Sequence, residues 1–336
     1  MKRCLLLVLL PAFMLAAGCE KSAESAAVSL FCMDTYCTIE AHGPDAEAAV
    51  AAAAEELERL ERLFSIGLAD SELSRINASA GGDMRLSDDM ARLLETSLEV
   101  SEETDGAFDV SVEPLVRAWG FYGGSPAVPS GETLEEALLH VDYARLELSG
   151  NTLRLQSGQG LDLGGVAKGY AGDRLTALMA AYGVTGASVS LGGNVQTLGE
   201  RPGGGAWRIG LRSPLDEEAL LCVLAAEDCA VVTAGSYQRW FEEAGQRYHH
   251  ILDPATGRPA ESGLLSVTVV AADGARADAL STALFVMGRE RAEAFWRQSG
   301  GAFEMLLFTD EGELRYTAGI EPMLISLLYE PAVFVE

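Results

Sequence analysis

The sequence has few positive charges for its length. Among its 336 residues, 24 are Lys or Arg and 50 are Asp or Glu, which gives a formal net charge of −26. A surface of this sign repels the phosphates of nucleic acids and anionic lipid headgroups. We therefore expect no nucleic-acid partner, and any phosphate-bearing ligand must be held by local main-chain amides, a lysine or a metal ion.

Histidine and cysteine are also scarce, at 4 and 6 residues. No two cysteines have the CxxC spacing of a metal or redox site. Cys222 and Cys229 flank a predicted hairpin turn, so they could face each other, and export would permit a disulfide. Buried free thiols are an equally good interpretation for these two and for Cys32 and Cys37.

Only the N-terminus contains a long apolar run, and that run is too short to span a bilayer. Lys2 and Arg3 precede the apolar segment Leu5 to Leu15, as in a signal peptide. The following Leu-Ala-Ala-Gly-Cys resembles a lipoprotein signal in which Cys19 is lipidated. We predict a signal peptide over 1–18, a tether over 19–27 and one domain over 28–336, exported and anchored in a membrane. The alternative is an ordinary secretory peptide.

Strand patterns joined by tight turns alternate irregularly with helix patterns. Apolar residues at helical spacing predict a helix from Asp45, as its cap, to Phe64. Further helices are predicted from Ser87 to Val100, over 166–182, and over 275–287 and 289–298. Val28 to Ala41 is predicted as one strand, and 146–155 as a hairpin. This arrangement predicts an α+β fold with a largely antiparallel sheet and dispersed helices.

Two stretches have chemistry that suits a phosphate ligand. In DLGGVAKGYAGD, from Asp162, two glycines between a strand and a helix allow close approach of amides to an oxyanion, and Lys168 adds a positive charge. On a predicted helix, Asp278, Ser281 and Thr282 share one face and offer hard oxygen ligands suited to Mg²⁺. Each stretch alone is better explained by a turn or a helix cap. His250 is a candidate general base.

Seven motifs in this order resemble the ApbE family of FAD:protein FMN transferases. They are Met33-Asp34-Thr35, DSELSRIN from Asp70, TDGAFDV from Thr104, DLGGVAKGYAGD, SLGGN from Ser190, HILDPATGRP from His250 and ADALSTALFVMG from Ala277. The resemblance implies a T-fold-like architecture with an FAD cleft between two subregions. It implies FAD contacts by Met33, Ala107, Phe108, Asp109, Asp162, Lys168 and Ile251. It implies Mg²⁺ ligands at Gly165 (through its carbonyl), Asp278, Ser281 and Thr282.

The implied reaction is cleavage of FAD and transfer of FMN, through a phosphoester, to a threonine or serine of a target protein, with release of AMP. The resemblance implies acceptors among subunits of the sodium-translocating NADH:quinone reductase or Rnf type, which bear a Ser/Thr-Gly-Ala-Thr-like motif. His250 is the leading candidate for the base, and Asp278 is the weaker one. The alternatives are a Mg²⁺-dependent FAD pyrophosphatase and a non-catalytic FAD-binding lipoprotein. Two departures stand out, namely Asp34 where many members have glycine and the lack of an aromatic residue in 65–69.

Overall fold

The computed structural model describes residues 25–79, 81–123, 125–216 and 218–335. The predicted signal peptide, Cys19 and the first part of the tether lie outside these residues. The strand that begins at Ser25 includes residues 25–27, which we had assigned to the tether. Ala26 packs against the core and pairs with Ala41, which explains why the ordered strand extends that far. Within the described part of the chain, no helix is long and apolar enough to cross a membrane.

The fold contains dispersed helices and mostly antiparallel strands, as predicted. The helices are α1 (Ala46–Phe64), α2 (Glu72–Asn77), α3 (Asp88–Glu103), α4 (Glu113–Trp119), α5 (Gly131–Leu138), α6 (Ala167–Ala181) and α7 (Gly274–Gln298). The strands are β1 (Ser25–Cys32), β2 (Thr35–His42), β3 (Gly82–Arg85), β4 (Glu147–Ser149), β5 (Thr152–Leu155), β6 (Gly186–Leu191), β7 (Asn194–Gly199), β8 (Trp207–Arg212), β9 (Leu220–Ala226), β10 (Ala230–Gly235), β11 (Trp240–Glu243), β12 (Gln246–His249), β13 (Leu264–Ala271), β14 (Glu304–Thr309), β15 (Leu314–Thr317), β16 (Leu324–Leu327) and β17 (Ala332–Val335).

A nine-stranded sheet forms the centre, in the order β1-β2-β6-β7-β10-β13-β14-β15-β17. Its pairs are antiparallel except β15 with β17. Helices α1, α6 and α7 cover one face, and their apolar side chains form the main core with that face. A small sheet, β16-β9-β8, covers part of the other face over a second apolar cluster. This layering buries both faces of β10, β13 and β14, and these strands are rich in apolar residues.

A separate cluster lies at one end of the sheet. Helices α4 and α5 and the β11–β12 hairpin pack together around Leu115, which is fully buried. The rings of Trp119, Phe121, Phe241 and Tyr248 stack or tilt against one another at centroid distances of 5.4–6.4 Å. We call these four residues the aromatic cap. The indole N–H of Trp119 donates to the carbonyl of Gly257 at 2.7 Å, which ties the cap to the chain after β12.

Two local predictions were wrong, and the structure decides one alternative that the sequence left open. Val28 to Ala41 is a hairpin, because Met33 and Asp34 both have positive φ, at 53° and 58°, and reverse the chain between β1 and β2. Asp45 precedes α1 but makes no side-chain capping bond, since its own φ of 54° is left-handed. Cys222 and Cys229 do not face each other across a hairpin, because the chain leaves the small sheet after β9 and enters the large sheet at β10. Both cysteines, like Cys32 and Cys37, are free thiols.

Candidate active site

A cavity of about 1690 Å³ lies between the end of the large sheet and the aromatic cap. It exceeds the roughly 300–1,000 Å³ of ordinary small-molecule sites, so it has room for a dinucleotide-sized ligand and more. The predicted site residues that line it are Met33, Ala107, Phe108, Asp109, Asp162, Gly165, Lys168, His250, Ile251, Asp278 and Thr282. These residues are spread over about three quarters of the chain, and the fold brings them to one place.

The predicted metal ligands meet where α6 begins beside α7. Asp278 is almost completely buried, and one of its carboxylate oxygens, Oδ2, accepts a hydrogen bond from the Gly169 amide at 2.9 Å. Thr282 follows one helical turn later. A methyl group added to Gly165 would lie 3.1 Å from Oγ1 of Thr282 and 3.2 Å from the Phe108 ring, so the backbone at Gly165 closely approaches both side chains. Gly165, Thr282 and Asp278 therefore lie together at one wall of the cavity.

Ser281 is placed differently from its predicted partners. Its side chain is buried, and its hydroxyl donates to the main-chain carbonyl of Asp278 at 2.8 Å. It is not among the residues that line the cavity. The hydrogen bond is a back-bond within α7, in which the hydroxyl serves the helix backbone. The assignment of Ser281 as a ligand remains a prediction.

Asp162 and Lys168 organise the loop that leads into α6. The Gly164 amide donates to Oδ1 of Asp162 at 2.8 Å, which folds the double glycine into a tight turn. The Lys168 ammonium group donates to the Gly164 carbonyl at 3.2 Å. Burial raises the pKa of Asp162 to about 6, while the Gly164 amide and Lys168 act in the opposite direction. Lys168 is thereby held over the loop at the cavity wall.

The last residue of this motif, Asp173, is a structural anchor that the sequence did not identify. Its carboxylate accepts from the amides of Gly274 and Ala275, each at 2.9 Å, and from Gln196 at 2.6 Å. Burial raises the pKa of Asp173 to about 6. The two amides belong to the first turn of α7, where unpaired N–H groups and the helix dipole favour a carboxylate. Asp173 therefore fixes the start of the helix that bears Asp278 and Thr282.

Gly169 explains how closely these two helices pack. A methyl group at this position would lie 2.0 Å from the Gly274 carbonyl oxygen and 2.8 Å from the Asp278 side chain. Any larger residue at position 169 would push α7 away from α6. The glycines of the motif thus have separate roles, with Gly165 next to Thr282 and Gly169 between the helices.

His250 lines the same cavity. Its Nδ1 lies 3.2 Å from the carbonyl oxygen of Arg239, which can only accept, so Nδ1 carries the proton and Nε2 is left as an acceptor. Burial lowers the pKa of His250 to about 4. The ring is therefore neutral at neutral pH, as a general base must be. His249 packs its ring edge against Phe285 and contacts the Ala260 carbonyl, which is a structural role.

The segment after α3 supplies an apolar wall. Ala107 and Phe108 are buried and line the cavity. Asp109 is also buried, but Oδ1 accepts from the amide and hydroxyl of Ser111 and Oδ2 accepts from the Tyr143 amide. Its carboxylate is thus engaged in holding this segment. Burial raises the pKa of Asp109.

Three cavity residues were missed by the sequence interpretation. Tyr122 follows the aromatic cap residue Phe121, and the negative charge of Asp162 is the first cause that raises the pKa of its phenol. Arg239 forms an ion pair with Asp34 and so connects the β1–β2 turn to the segment that holds His250. Glu61 accepts from the Met33 amide at 2.7 Å. None of them lies in a quoted motif, although the run Trp119-Gly120-Phe121-Tyr122 was an available signal.

The pattern of these residues matches one family of enzymes. The model of the ApbE family matches residues 33–307. The chain belongs to the ApbE family. Among curated relatives, the FAD:protein FMN transferase of Treponema pallidum is 36% identical, with 85% of each chain covered, and that of Vibrio cholerae is 32% identical, with 95% of this chain and 98% of the relative covered.

Solved structures of the family agree with the fold. The ApbE protein of Thermotoga maritima superimposes with a TM-score of 0.84 at 31% identity, and covers 90% of this chain and all of its own. The flavinyl transferase ApbE of Pseudomonas stutzeri gives 0.81 at 30% identity, over 91% and 98% of the two chains. The predicted α+β fold of this ApbE family member is thereby confirmed. The comparisons also confirm that the chain belongs to a family whose named relatives are transferases.

Proposed function

We propose that this protein cleaves FAD and transfers FMN to a threonine or serine hydroxyl of a target protein, with AMP as the second product. The observation that carries the proposal is the convergence of Gly165, Asp278 and Thr282 on one wall of a cavity that also exposes Lys168 and His250. Hard oxygen atoms and a neutral imidazole in one cavity suit a phosphoryl transfer with a hydroxyl nucleophile. The names of the relatives support the same reaction.

The donor set at the start of α6 and α7 fits Mg²⁺. In the described residues, no three His, Cys, Asp or Glu side chains lie together as a metal site, so a cation here would rely on one carboxylate and on neutral oxygens. Mg²⁺ commonly binds in this way and completes its shell with waters and substrate phosphates. We assign the Asp278 carboxylate, the Thr282 hydroxyl and the Gly165 carbonyl as its ligands. When bound, the ion neutralises charge on the pyrophosphate.

The protein's own groups handle the rest of the reaction. Lys168 offsets the negative charge of the phosphates in a protein whose overall charge of −26 repels them. The acceptor hydroxyl oxygen bonds to the phosphorus of the FMN half, and the bond from that phosphorus to the oxygen of AMP breaks. Nε2 of His250 takes the hydroxyl proton. Phe108 and Ile251, both buried in the lining, keep water from this part of the cavity.

The acceptor and the location follow from the sequence. The family resemblance supports acceptors of the sodium-translocating NADH:quinone reductase or Rnf type, which are membrane complexes. The Leu-Ala-Ala-Gly-Cys sequence at positions 15–19 supports export and a lipid anchor on Cys19. A lipid anchor would hold the enzyme on the membrane where such acceptors are found.

Mass spectrometry of a candidate acceptor subunit tests the reaction directly. After incubation with the enzyme, FAD and Mg²⁺, the acceptor should gain the mass of FMN less water on one hydroxyl residue, with one AMP released for each FMN attached. AMP and free FMN without labelled acceptor would instead indicate the pyrophosphatase. FAD binding without AMP would indicate the non-catalytic binder, and either result would contradict the proposal.

A further inference from the structure

Two aromatic side chains at the mouth of the cavity are far more exposed than is usual for their type. Phe31 on β1 is 63% exposed and Tyr36 on β2 is 83% exposed. They are direct cross-strand partners, and their rings meet edge to face at a centroid distance of 5.4 Å. Large apolar rings of this kind normally lie in the interior or at interfaces.

These rings belong to the rim of the active-site cavity. They flank the Met33–Asp34 turn, and both residues line the cavity together with that turn. Leu68, which is 37% exposed, lines the same rim from the loop after α1. We call Phe31, Tyr36 and Leu68 the mouth patch. Among the described residues, β1 is the edge strand of the large sheet, and no further strand of the sheet lies beyond it.

The mouth patch does not contribute to the core of the described domain. Neither Phe31 nor Tyr36 packs into any of the three apolar clusters. The two rings therefore add exposed apolar area without a matching gain in packing. Exposed apolar groups beside a functional cavity are typical of a surface that binds a partner.

We propose that the mouth patch docks the acceptor polypeptide and receives an apolar side chain next to the hydroxyl residue that is modified. The proposal rests on transfer of FMN to a protein, since any such acceptor must pass this rim to reach the phosphates. An extended segment lying across the two rings would place its next residues over the Met33–Asp34 turn and into the cavity. Anionic lipid is a poorer occupant, because the turn that joins the two strands carries Asp34 and the protein's charge is −26.

Two short synthetic peptides provide the test. Both carry Ser-Gly-Ala-Thr, the acceptor motif that the family resemblance implies, with leucines on each side in one peptide and glutamines, which add no hydroxyl, at the same positions in the other. The enzyme should modify the leucine peptide at roughly ten times the kcat/KM of the glutamine peptide. In the double variant Phe31→Thr/Tyr36→Thr this preference should disappear. Threonine keeps the strand propensity of both positions.

A matched control lies at the opposite edge of the same sheet. Phe334 on β17 is 41% exposed and meets Tyr316 edge to face at 5.9 Å, but it does not line the cavity. Phe334→Thr should keep the full preference for the leucine peptide. The variant Phe31→Leu/Tyr36→Leu retains apolar area and should keep most of the preference for the leucine peptide. It tests the proposal if the threonine variant folds poorly.

Several results would overturn the assignment. An unchanged leucine preference in the threonine variant would show that the rings do not contact the acceptor. If the threonine variant lost FAD affinity by the same factor as it lost FMN transfer, the rings would belong to the FAD site. A change of oligomeric state, or of binding to anionic vesicles, would assign the surface to a second copy or to lipid. Modification of neither peptide by an enzyme that transfers FMN to the intact acceptor subunit would also contradict docking, whereas failure to transfer FMN to the intact acceptor subunit would contradict the proposed function.

Discussion

The main-chain amide of Gly169 donates a hydrogen bond of 2.9 Å to Oδ2 of Asp278, and this bond joins the first turn of α6 to the acidic residue of α7. It engages one carboxylate oxygen and leaves the other for a ligand in the cavity that Asp278 lines. A main-chain amide thus sets the orientation of the carboxylate, and the position of this amide does not depend on the rotamer of another side chain. An acidic ligand held in this way is preorganised for a cation.

Replacing Asp278 should abolish most of the Mg²⁺-dependent reaction. Asp278→Asn preserves the shape of the side chain but removes the only charge among the proposed ligands, so we expect a loss of at least about a hundredfold in kcat. Thr282→Val should cost less, because water can replace a neutral ligand. The measurement is FMN transfer as a function of Mg²⁺ concentration.

Ser87 provides the control for this pair of variants. Its hydroxyl accepts from the Met90 amide at 3.2 Å and caps α3, and it does not line the cavity. Ser87→Ala should lower the free energy of unfolding by about 1 kcal/mol and leave transfer unchanged. Full activity of Asp278→Asn at limiting Mg²⁺ would remove the metal site from the proposal.

Asp173 should affect the metal site without touching it. Asp173→Ala removes three hydrogen bonds that hold the start of α7, so we expect a loss of about 1–3 kcal/mol in the free energy of unfolding. Because Asp278 and Thr282 depend on the position of this helix, the Mg²⁺ concentration for half-maximal transfer should rise several-fold. Calorimetry or denaturant unfolding measures the first effect, and a Mg²⁺ titration measures the second.

The neighbouring helix cap separates these two effects. Asp273 is exposed and accepts from the Arg276 amide at 2.8 Å as the N-cap of α7. Asp273→Ala should lower the free energy of unfolding by about 1 kcal/mol and leave the Mg²⁺ concentration for half-maximal transfer unchanged. If both variants shift the titration equally, Asp173 contributes to the stability of the helix and has no specific positioning role.

The long elements could be predicted because their periodicity comes from burial. The helix predicted to end at Phe64 is α1, and every residue of its predicted apolar face is buried. Two helices were predicted on either side of Gly288, and that residue has a non-helical φ of 73° within α7. Apolar spacing reports directly on which side of a helix faces the core, so these predictions depend on little else.

The elements around the cavity could not be predicted in the same way. Helices α4 and α5 and strands β11 and β12 are short, and an apolar pattern needs more than two turns or a few residues to be distinctive. The β1–β2 turn escaped notice because Met33 and Asp34 adopt positive φ without the glycine or Asn-Gly signal of such turns. The role of Asp173 was hidden because its partners are main-chain amides a hundred residues away.

The buried face of α1 provides a test of the fold. Leu57 is fully buried in the main core, whereas its neighbour Glu58 is exposed. Leu57→Ala should lower the free energy of unfolding by about 2–5 kcal/mol, and Leu57→Asp should cost more because it buries a charge without a partner. Glu58→Ala should change stability by less than about 0.5 kcal/mol. Equal melting temperatures for Leu57→Ala and Glu58→Ala would contradict this orientation of α1.

Cys19 should determine where the protein is found. If Cys19 carries the lipid, Cys19→Ala removes the anchor, and the protein should move from the membrane fraction to the soluble or precursor fraction. Cys4→Ala, within the predicted signal peptide, is the control and should leave fractionation unchanged. Metabolic labelling with a fatty acid checks the modification itself. A Cys19→Ala protein that stays with the membrane would favour another mode of attachment.

The pH dependence of the reaction should identify His250 as the base. Burial lowers the pKa of this histidine from 6.5 to about 4, so the neutral form that accepts a proton persists well below the usual histidine range. We expect kcat/KM to remain level as pH falls through 6.5 and to decline only near pH 4–5, since this parameter reports the free enzyme. His250→Gln should lower kcat strongly and remove that acid limb.

The same shift predicts the pH dependence of stability. Between pH 6.5 and about 4 the unfolded chain binds a proton at His250 that the folded protein does not. The free energy of unfolding therefore decreases as pH falls through this window, and above pH 6.5 this histidine does not lower it. The opposite holds for Asp162 and Asp173, whose pKa values burial raises to about 6. The contributions of these carboxyl groups cancel when the free energy of unfolding of a His250 variant is compared with that of the wild type at each pH.

Relative to wild type, His250→Gln should therefore gain about 1 kcal/mol in the free energy of unfolding for each unit that the pH falls between 6.5 and 4. His140→Gln, at a position outside the cavity lining, serves as the control and should leave the acid limb of kcat/KM in place. Denaturant unfolding at a series of pH values measures the stability profile, and initial rates at low FAD concentration measure the limb. If the acid limb of the wild-type enzyme lies near pH 6.5 and survives in His250→Gln, the base is another group, and the imidazole at the cavity wall has a structural role.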